Sequence, residues 1–242
     1  VPADFWPRAF DAYEGIQLPG WQRIRGQDPA KAPNPEGRVS TLESYWNFHV
    51  DLMMVHYSAG SPIEEIAALV EPTIEIAEEW MDAAVLIKGE RWLQWTFRQD
   101  MTINPASTLV RTLSFTALLA PELSERALAL LGRLGGATTL GMLFGTGQGD
   151  EVGTPKPYDR LEPLLSLADR SAALAKYLSG WYGAHRKAGW WGADKHVDVS
   201  VKHIGYWAVE AAAASVLLAI DDSMLTSEYY PRELADYGRS IR

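Results

Sequence analysis

Five histidines and a surplus of carboxylates are the side chains in this sequence with chemistry to offer. His49 and His56 stand seven residues apart, as do His196 and His203, so each pair shares a face if its helix is continuous; Asp51, Asp194 and Asp198 are near enough in sequence to add oxygen ligands. A metal held there would activate water for hydrolysis. Yet there is no HExxH and no adjacent His-Asp pair, and this spacing arises on any helix, so the imidazoles read better as core or surface residues. "DDS" at 221–223 offers two carboxylates beside a hydroxyl. It follows a long apolar stretch and precedes "EYYPREL", so it reads better as a cap or turn ahead of a last helix opened by Pro231.

The remaining catalytic patterns are incomplete. No GxSxG elbow accompanies the serines. "GTGQG" at 145–149 has neither a strand before it nor a Lys-Ser/Thr after it, and reads as a loop rather than a phosphate cradle. The absence of cysteine removes disulfides, thiolate nucleophiles and thiolate-ligated zinc, and is compatible with a cytoplasmic location. We therefore assign no catalytic residue, no metal and no cofactor. The competing readings are a metal-dependent hydrolase built on the histidines and a general helical adaptor.

The acids are more informative in bulk. Net charge is −9, and residues 41–100 carry eleven acids against three bases, so nearly all the excess lies there. Such a balance argues against direct binding of nucleic acid or anionic lipid and favours a basic protein surface. From Glu64 to Asp82 there are seven acids (Glu64, Glu65, Glu71, Glu75, Glu78, Glu79 and Asp82) and no base. At 100° per residue all but Glu65 fall within an arc of about 100°, opposite Ile63, Ile66, Val70, Ile74, Ala77, Trp80 and Met81. On one continuous helix this stripe would run about 27 Å. Like charges three and four apart repel by roughly a few tenths of a kcal/mol per pair, so the stripe is either a solvated face or a docking face.

The elements that would position these residues are all helical. Apolar residues, 47% of the chain, recur at helical spacing, and no strand pair with a hairpin turn is evident. The expected fold is all-α, a single domain of about nine or ten helices stacked in antiparallel pairs. Residues 1–40 read as a leading helix and an irregular Pro/Gly-rich connection, 41–144 as an N-terminal helical half, 145–159 as a Gly/Pro-rich loop, and 160–242 as a C-terminal helical half. Ser40 or Thr41 is expected to start a helix, with Glu43 completing a capping box on Ser40 and Gly60 ending it in a left-handed cap. Ser61, Pro62 and Glu64 predict a second start, for a helix running to about Ile87, bent at Pro72 and stopped by Gly89. Further helices are expected near 90–100, 105–119, 121–133, 136–144, 160–167, 169–188, 200–220 and 231–238. No apolar run is long enough to span a membrane. The chain opens at Val1 rather than Met, which points to a longer product or to processing, and no visible stretch resembles a signal segment.

"GYWAVEAAAASVLLAIDDS" from Gly205, followed by "YYPRELADY", resembles the C-terminal signature of the PoNi immunity proteins, partners of polymorphic DNase toxins delivered by bacterial secretion systems, type VI among them. "YWNFHVDLMMVHYSAGSPIEEI" resembles the N-terminal half of the same family, and "YLSGWYGAHRKAGWW" the segment before the final signature. The matches cover roughly residues 41–87 and 174–239; residues 1–40 and 90–170 carry no motif of the family. The resemblance implies an all-helical, non-enzymatic inhibitor acting by direct contact with a nuclease toxin domain. It makes Tyr57, Ser58, Gly60, Gly205, Tyr206, Trp207, Glu210, Asp221, Asp222, Tyr230 and Pro231 a structural signature, and it does not say which residues touch the toxin. Because a DNase must offer phosphates a basic surface, Glu64, Glu71, Glu75, Glu78, Glu79 and Asp82 are the candidate toxin-binding residues.

Overall fold

The computed structural model describes residues 1–19, 34–98, 105–134, 138–145, 156–166 and 169–242. Helices supply the regular structure and no strand occurs among the described residues, so the all-α reading holds. The chain packs as two compact units, Val1–Leu93 with Gly189–Gly205, and Gln94–Ala188 with Tyr206–Arg242. Most of the 145–159 loop and of the Pro/Gly-rich connection ahead of residue 34 lies outside the described residues.

In the first unit, α1 (Phe5–Phe10) runs on as a π-helix over Asp11–Gln17, and α2 (Pro35–Ala59) is the longest element. The α2 start lies upstream of Ser40, the expected cap. Asn34 is the cap instead: its side chain accepts from the Gly37 N–H at 2.9 Å, and Pro35 occupies the first helical position, where no amide is needed. Ser40 sits inside the helix with its hydroxyl donating back to the Glu36 carbonyl at 3.4 Å. The other end is as expected. Gly60 takes φ 78°, which a Cβ would oppose, and the Ser61 N–H reaches the His56 carbonyl at 3.0 Å, closing the last turn.

Residues 61–88 do not form the single bent helix that the spacing predicts. α3 (Ile63–Ala67) is short and begins after Pro62, whose extended backbone (ψ 138°) leaves Ser61 outside the cap position; the Ser61 hydroxyl instead meets His56 Nδ1 at 3.0 Å. α4 (Val70–Lys88) then starts afresh. Pro72 accounts for the break: it lacks the N–H that would bond the Ala68 carbonyl and its ring crowds that carbonyl, so it is tolerated only in the first turn of a new helix. α4 lies antiparallel to α2. Lys88 pairs with Glu36 at 2.7 Å near one end, and the Trp46 and Trp80 rings, fully buried, meet at 5.3 Å further along.

The second unit is built around α6 (Ala106–Leu119), all fourteen residues of which are buried. A helix covered on every side must satisfy its polar side chains internally. The hydroxyls of Thr112, Ser114 and Thr116 do so by donating to carbonyls four residues back at 2.7–2.8 Å. Around it pack α7 (Ser124–Arg133), α8 (Thr138–Phe144), α11 (Val209–Leu217) and α12 (Arg232–Ser240). α9 (Pro163–Ser166) and α10 (Arg170–Ala184) complete the unit, and α5 (Glu90–Arg98) spans the division between the two. The helix expected at 200–220 is shorter. Residues 202–208 are not helical, because the Ala208 N–H is taken by the Tyr229 carbonyl at 2.8 Å and the chain turns into the helix only at Val209.

Asn34 as the cap of α2 makes a clear contrast. Asn34→Ala is expected to cost about 1 kcal/mol of stability, whereas Ser40→Ala, on an exposed helical face, should stay within about 0.5 kcal/mol of the parent. Chemical denaturation of the two variants measures both.

Candidate functional site

Two of the signature residues are buried carboxylates in the second unit. Glu210, in the first turn of α11, is 2% exposed. Its Oε1 accepts from the Tyr177 hydroxyl at 2.7 Å and from Trp181 Nε1 at 2.5 Å, both on α10. Residues 177 and 181 stand four apart, so one face of α10 delivers both donors to one oxygen. Burial pushes the Glu210 carboxyl up from its ordinary value; the Tyr177 hydrogen bond, Trp181 and the positive charge of the buried Arg111 only partly offset it. His185 continues the cluster, its Nδ1 bonded to the Trp181 carbonyl at 2.8 Å and its ring 4.6 Å from the Trp181 ring. Burial lowers the His185 pKa to about 4, with Arg111 and Arg160 adding to the effect against the Trp181 hydrogen bond, so the imidazole is neutral at pH 7. Tyr158 closes it, donating or accepting with Ser107 at 3.0 Å.

Asp222 is the second carboxylate. It accepts from the Tyr230 hydroxyl and from Arg239 Nη2, and Arg232 Nη1 lies 3.6 Å away. Burial alone would raise its pKa, but the two hydrogen bonds and the charges of Arg239 and Arg232 outweigh that and hold it below the ordinary value. Tyr230 also meets the Ser215 hydroxyl at 2.6 Å. Arg232 donates to the Asp222 and Leu225 carbonyls at 3.0 and 2.8 Å, fixing the turn between α11 and α12. Asp221 differs from its neighbour: exposed, it accepts from the Ser223 N–H at 3.0 Å, and that bond lowers its pKa. The "DDS" stretch is thus a turn and an anchor. Its two carboxylates have separate partners.

The other signature residues are structural in the same sense. Gly205 is buried at φ 84°, a conformation that a side chain disfavours. Tyr206 packs on Tyr182 at 5.0 Å, and Tyr229 stacks on Tyr182 at 5.8 Å. Pro231 precedes α12 directly. In the first unit the Ser58 hydroxyl donates to the Ile204 carbonyl at 2.8 Å, so "YSAG" holds the returning segment 189–205; Tyr57 beside it is half-buried and Trp207, in the second unit, likewise.

The histidines are dispersed. His49 is buried in α2, and His56 is bonded to Ser61 and to Glu14 Oε1 at 3.0 Å. His196 and His203 do not share a helix, since the first ends a short 3-10 turn (Ala193–His196) and the second lies in non-helical chain. No group of three or more His, Asp or Glu that could hold a metal occurs among the described residues. Nor is any helix there long and apolar enough to cross a membrane.

The acidic stripe is divided by the break at 68–69. Glu64 and Glu65 stand exposed on α3, while α4 carries Glu71 and Asp82 exposed and Glu75, Glu78 and Glu79 half-buried. The face on α4 therefore runs from Glu71 to Asp82, about 16 Å rather than about 27 Å. Glu79 turns toward α2, where its charge acts on the buried Arg38 guanidinium against the burial that lowers the Arg38 pKa. Thr73, Ile74, Ile76, Ala77, Trp80 and Met81 fill the covered side.

Residues 140–234 match the family model of PoNe immunity proteins (PoNi), C-terminal. The resemblance read from the sequence is borne out over that segment, which contains both carboxylate anchors. Among solved structures, protein PA2201 from Pseudomonas aeruginosa matches with a TM-score of 0.73 at 18% identity, over 100% of this chain and 90% of that one, a likeness of fold. No curated protein matches.

Three variants separate the roles of the anchors. Glu210→Ala leaves the Tyr177 hydroxyl and the Trp181 N–H buried without their acceptor and is expected to cost about 2–4 kcal/mol. Glu210→Gln keeps an acceptor and should cost far less. The raised folded pKa of Glu210 contributes stability that is full below about pH 4.5 and is lost as pH rises through the folded value, so Glu210→Gln should also flatten that part of the stability–pH curve. Asp222 has the opposite sign: its depressed pKa contributes stability present above about pH 3.8 and lost as pH falls through the folded value, a loss that Asp222→Asn should remove from the acid limb. Denaturant melts across the acid and neutral range read all three.

Proposed function

We propose that this protein is an immunity protein that binds and neutralises a cognate bacterial DNase toxin, delivered by a secretion system such as type VI, through direct protein–protein contact. The observation that carries this reading is the match of residues 140–234 to the PoNi C-terminal family. The chemistry of the two carboxylate anchors supports it: each is occupied in holding helices together, which suits a binding scaffold. The protein acts without turnover, in the cytoplasm of the cell it protects.

The outward acids of α4 are the proposed contact. Glu71, Glu75, Glu78 and Asp82 recur every three or four residues on one side of a helix whose opposite side is packed. A nuclease surface that attracts phosphates attracts such a row, and occupying it keeps DNA away. Glu64, on α3, is a peripheral member, and the charge of Glu79 also acts on Arg38.

Co-expression with the cognate toxin should restore growth, and the purified protein alone should hydrolyse nothing. Reversing Glu71, Glu75, Glu78 and Asp82 together to lysine should weaken toxin binding by about 100-fold or more while helicity is retained. The glutamine quadruple should mainly slow association, and the parent complex should form faster at low salt, since such steering is screened over about 10 Å at roughly 0.1 M ionic strength. Association rates and circular dichroism measure these effects. A folded lysine variant that protects as well as the parent would place the toxin surface elsewhere.

A further inference from the structure

A chain with nine excess negative charges gathers a positive groove in its second unit. Lys156, Pro157, Asp159 and Arg160, from the 3-10 turn Tyr158–Leu161 and the residues before it, face Gly180, Gly183, Ala184, Arg186 and Lys187 at the end of α10 across an open groove of about 680 Å³. Four cations and one acid line it, and they come from two separate elements rather than from one helix face. Lys156, Arg160 and Arg186 make no ion pair among the described residues. Gly180 and Gly183 turn no side chain into the groove, so the α10 backbone forms part of its wall.

That wall bears on what the groove accepts. At the end of α10 the Trp181 and Tyr182 carbonyls are taken by His185, the Gly183 and Ala184 carbonyls have no partner from the helix itself, and the helix end carries partial negative charge. A bare phosphate would be repelled by those oxygens and by Asp159. A peptide brings N–H donors for the carbonyls together with carboxylates for the lysines and arginines. We infer that the groove between the 156–160 turn and the end of α10 holds an acidic peptide segment of the toxin, a stretch carrying two or more carboxylates. The assignment of this segment to the toxin rests on the immunity reading above. It gives the protein a second contact of opposite polarity to the acidic face of α4.

Lys156 and Arg186 are exposed and outside both carboxylate anchors, so Lys156→Glu with Arg186→Glu tests the groove, and the glutamine pair repeats the test without new acids. Hexaglutamate titrated into the full chain at low salt should bind the parent and lose about tenfold or more in either double variant, with inorganic pyrophosphate binding more weakly than hexaglutamate. Toxin affinity should fall by a similar factor in the glutamate pair, with the melting temperature unchanged. Hexaglutamate that fails to bind the parent, or pyrophosphate that binds more tightly, overturns the peptide assignment. A parent that protects cells while both double variants hold toxin with its affinity overturns the groove alone, whereas a parent that neither binds nor protects overturns the immunity reading.

Discussion

A carboxylate taken out of water must be met by donors, and the architecture of the second unit follows from that requirement at Glu210 and Asp222. Glu210 joins α11 to α10 because its donors, Tyr177 and Trp181, are on α10. Asp222 joins the end of α11 to α12 because Tyr230, Arg232 and Arg239 come from that side. The two differ in how the cost of burial is met. Neutral donors and a distant cation leave Glu210 with a raised pKa, whereas adjacent guanidinium groups leave Asp222 with a lowered one. One anchor is satisfied largely as a hydrogen-bond acceptor and the other as an ion.

The same rule applied to hydroxyls explains how α6 can be buried on all sides while carrying serine and threonine. Each back-bonded hydroxyl commits its donor to its own helix. Arg111 is the charged residue of α6, and its positive field reaches Glu210, Tyr158 and His185. The centre of the unit is therefore polar in composition and closed in its bonding. In the first unit α4 carries Glu71 and Asp82 exposed and Glu75, Glu78 and Glu79 half-buried, beside an inner side that is aromatic and aliphatic.

Where the sequence was legible, the signal was local. Gly60 and Gly89 end their helices because glycine relieves positive φ, and both ends are visible from the residue alone. The starts were harder. Ser40 and Asn34 are equally good cap residues by type, and Pro35 next to Asn34 was the discriminating signal. Pro72 was legible as a disturbance, but whether it bends a helix or restarts one depends on how Ala68 and Leu69 pack. At 200–208 helical spacing misled, since a long-range bond from Ala208 to Tyr229 overrides local preference. Asp222 and Glu210 were singled out by resemblance; Tyr158, Arg111 and His185, which complete their surroundings, were not. A near absence of charge from 105 to 119 was the available hint that α6 is central. The partners of a buried carboxylate lie 33 residues away for Tyr177 and 29 for Trp181, beyond any short window.

The chain leaves the first unit at Leu93 and returns to it at Gly189. The returning segment is held by bonds to earlier residues: Arg8 donates to the Val197 carbonyl at 3.3 Å, and Ser58 donates to the Ile204 carbonyl. The second unit in turn is closed only by α11 and α12, which follow that return. On a ribosome adding about 5–20 residues per second, the stretch between residues 93 and 189 takes about 5–20 s, during which the first unit waits with its binding ground for 189–205 uncovered. The first unit has all of its residues only at Gly205, and the second only after 206–242. A chain that stops anywhere in that interval therefore forfeits both units at once, although residues 1–93 are already complete.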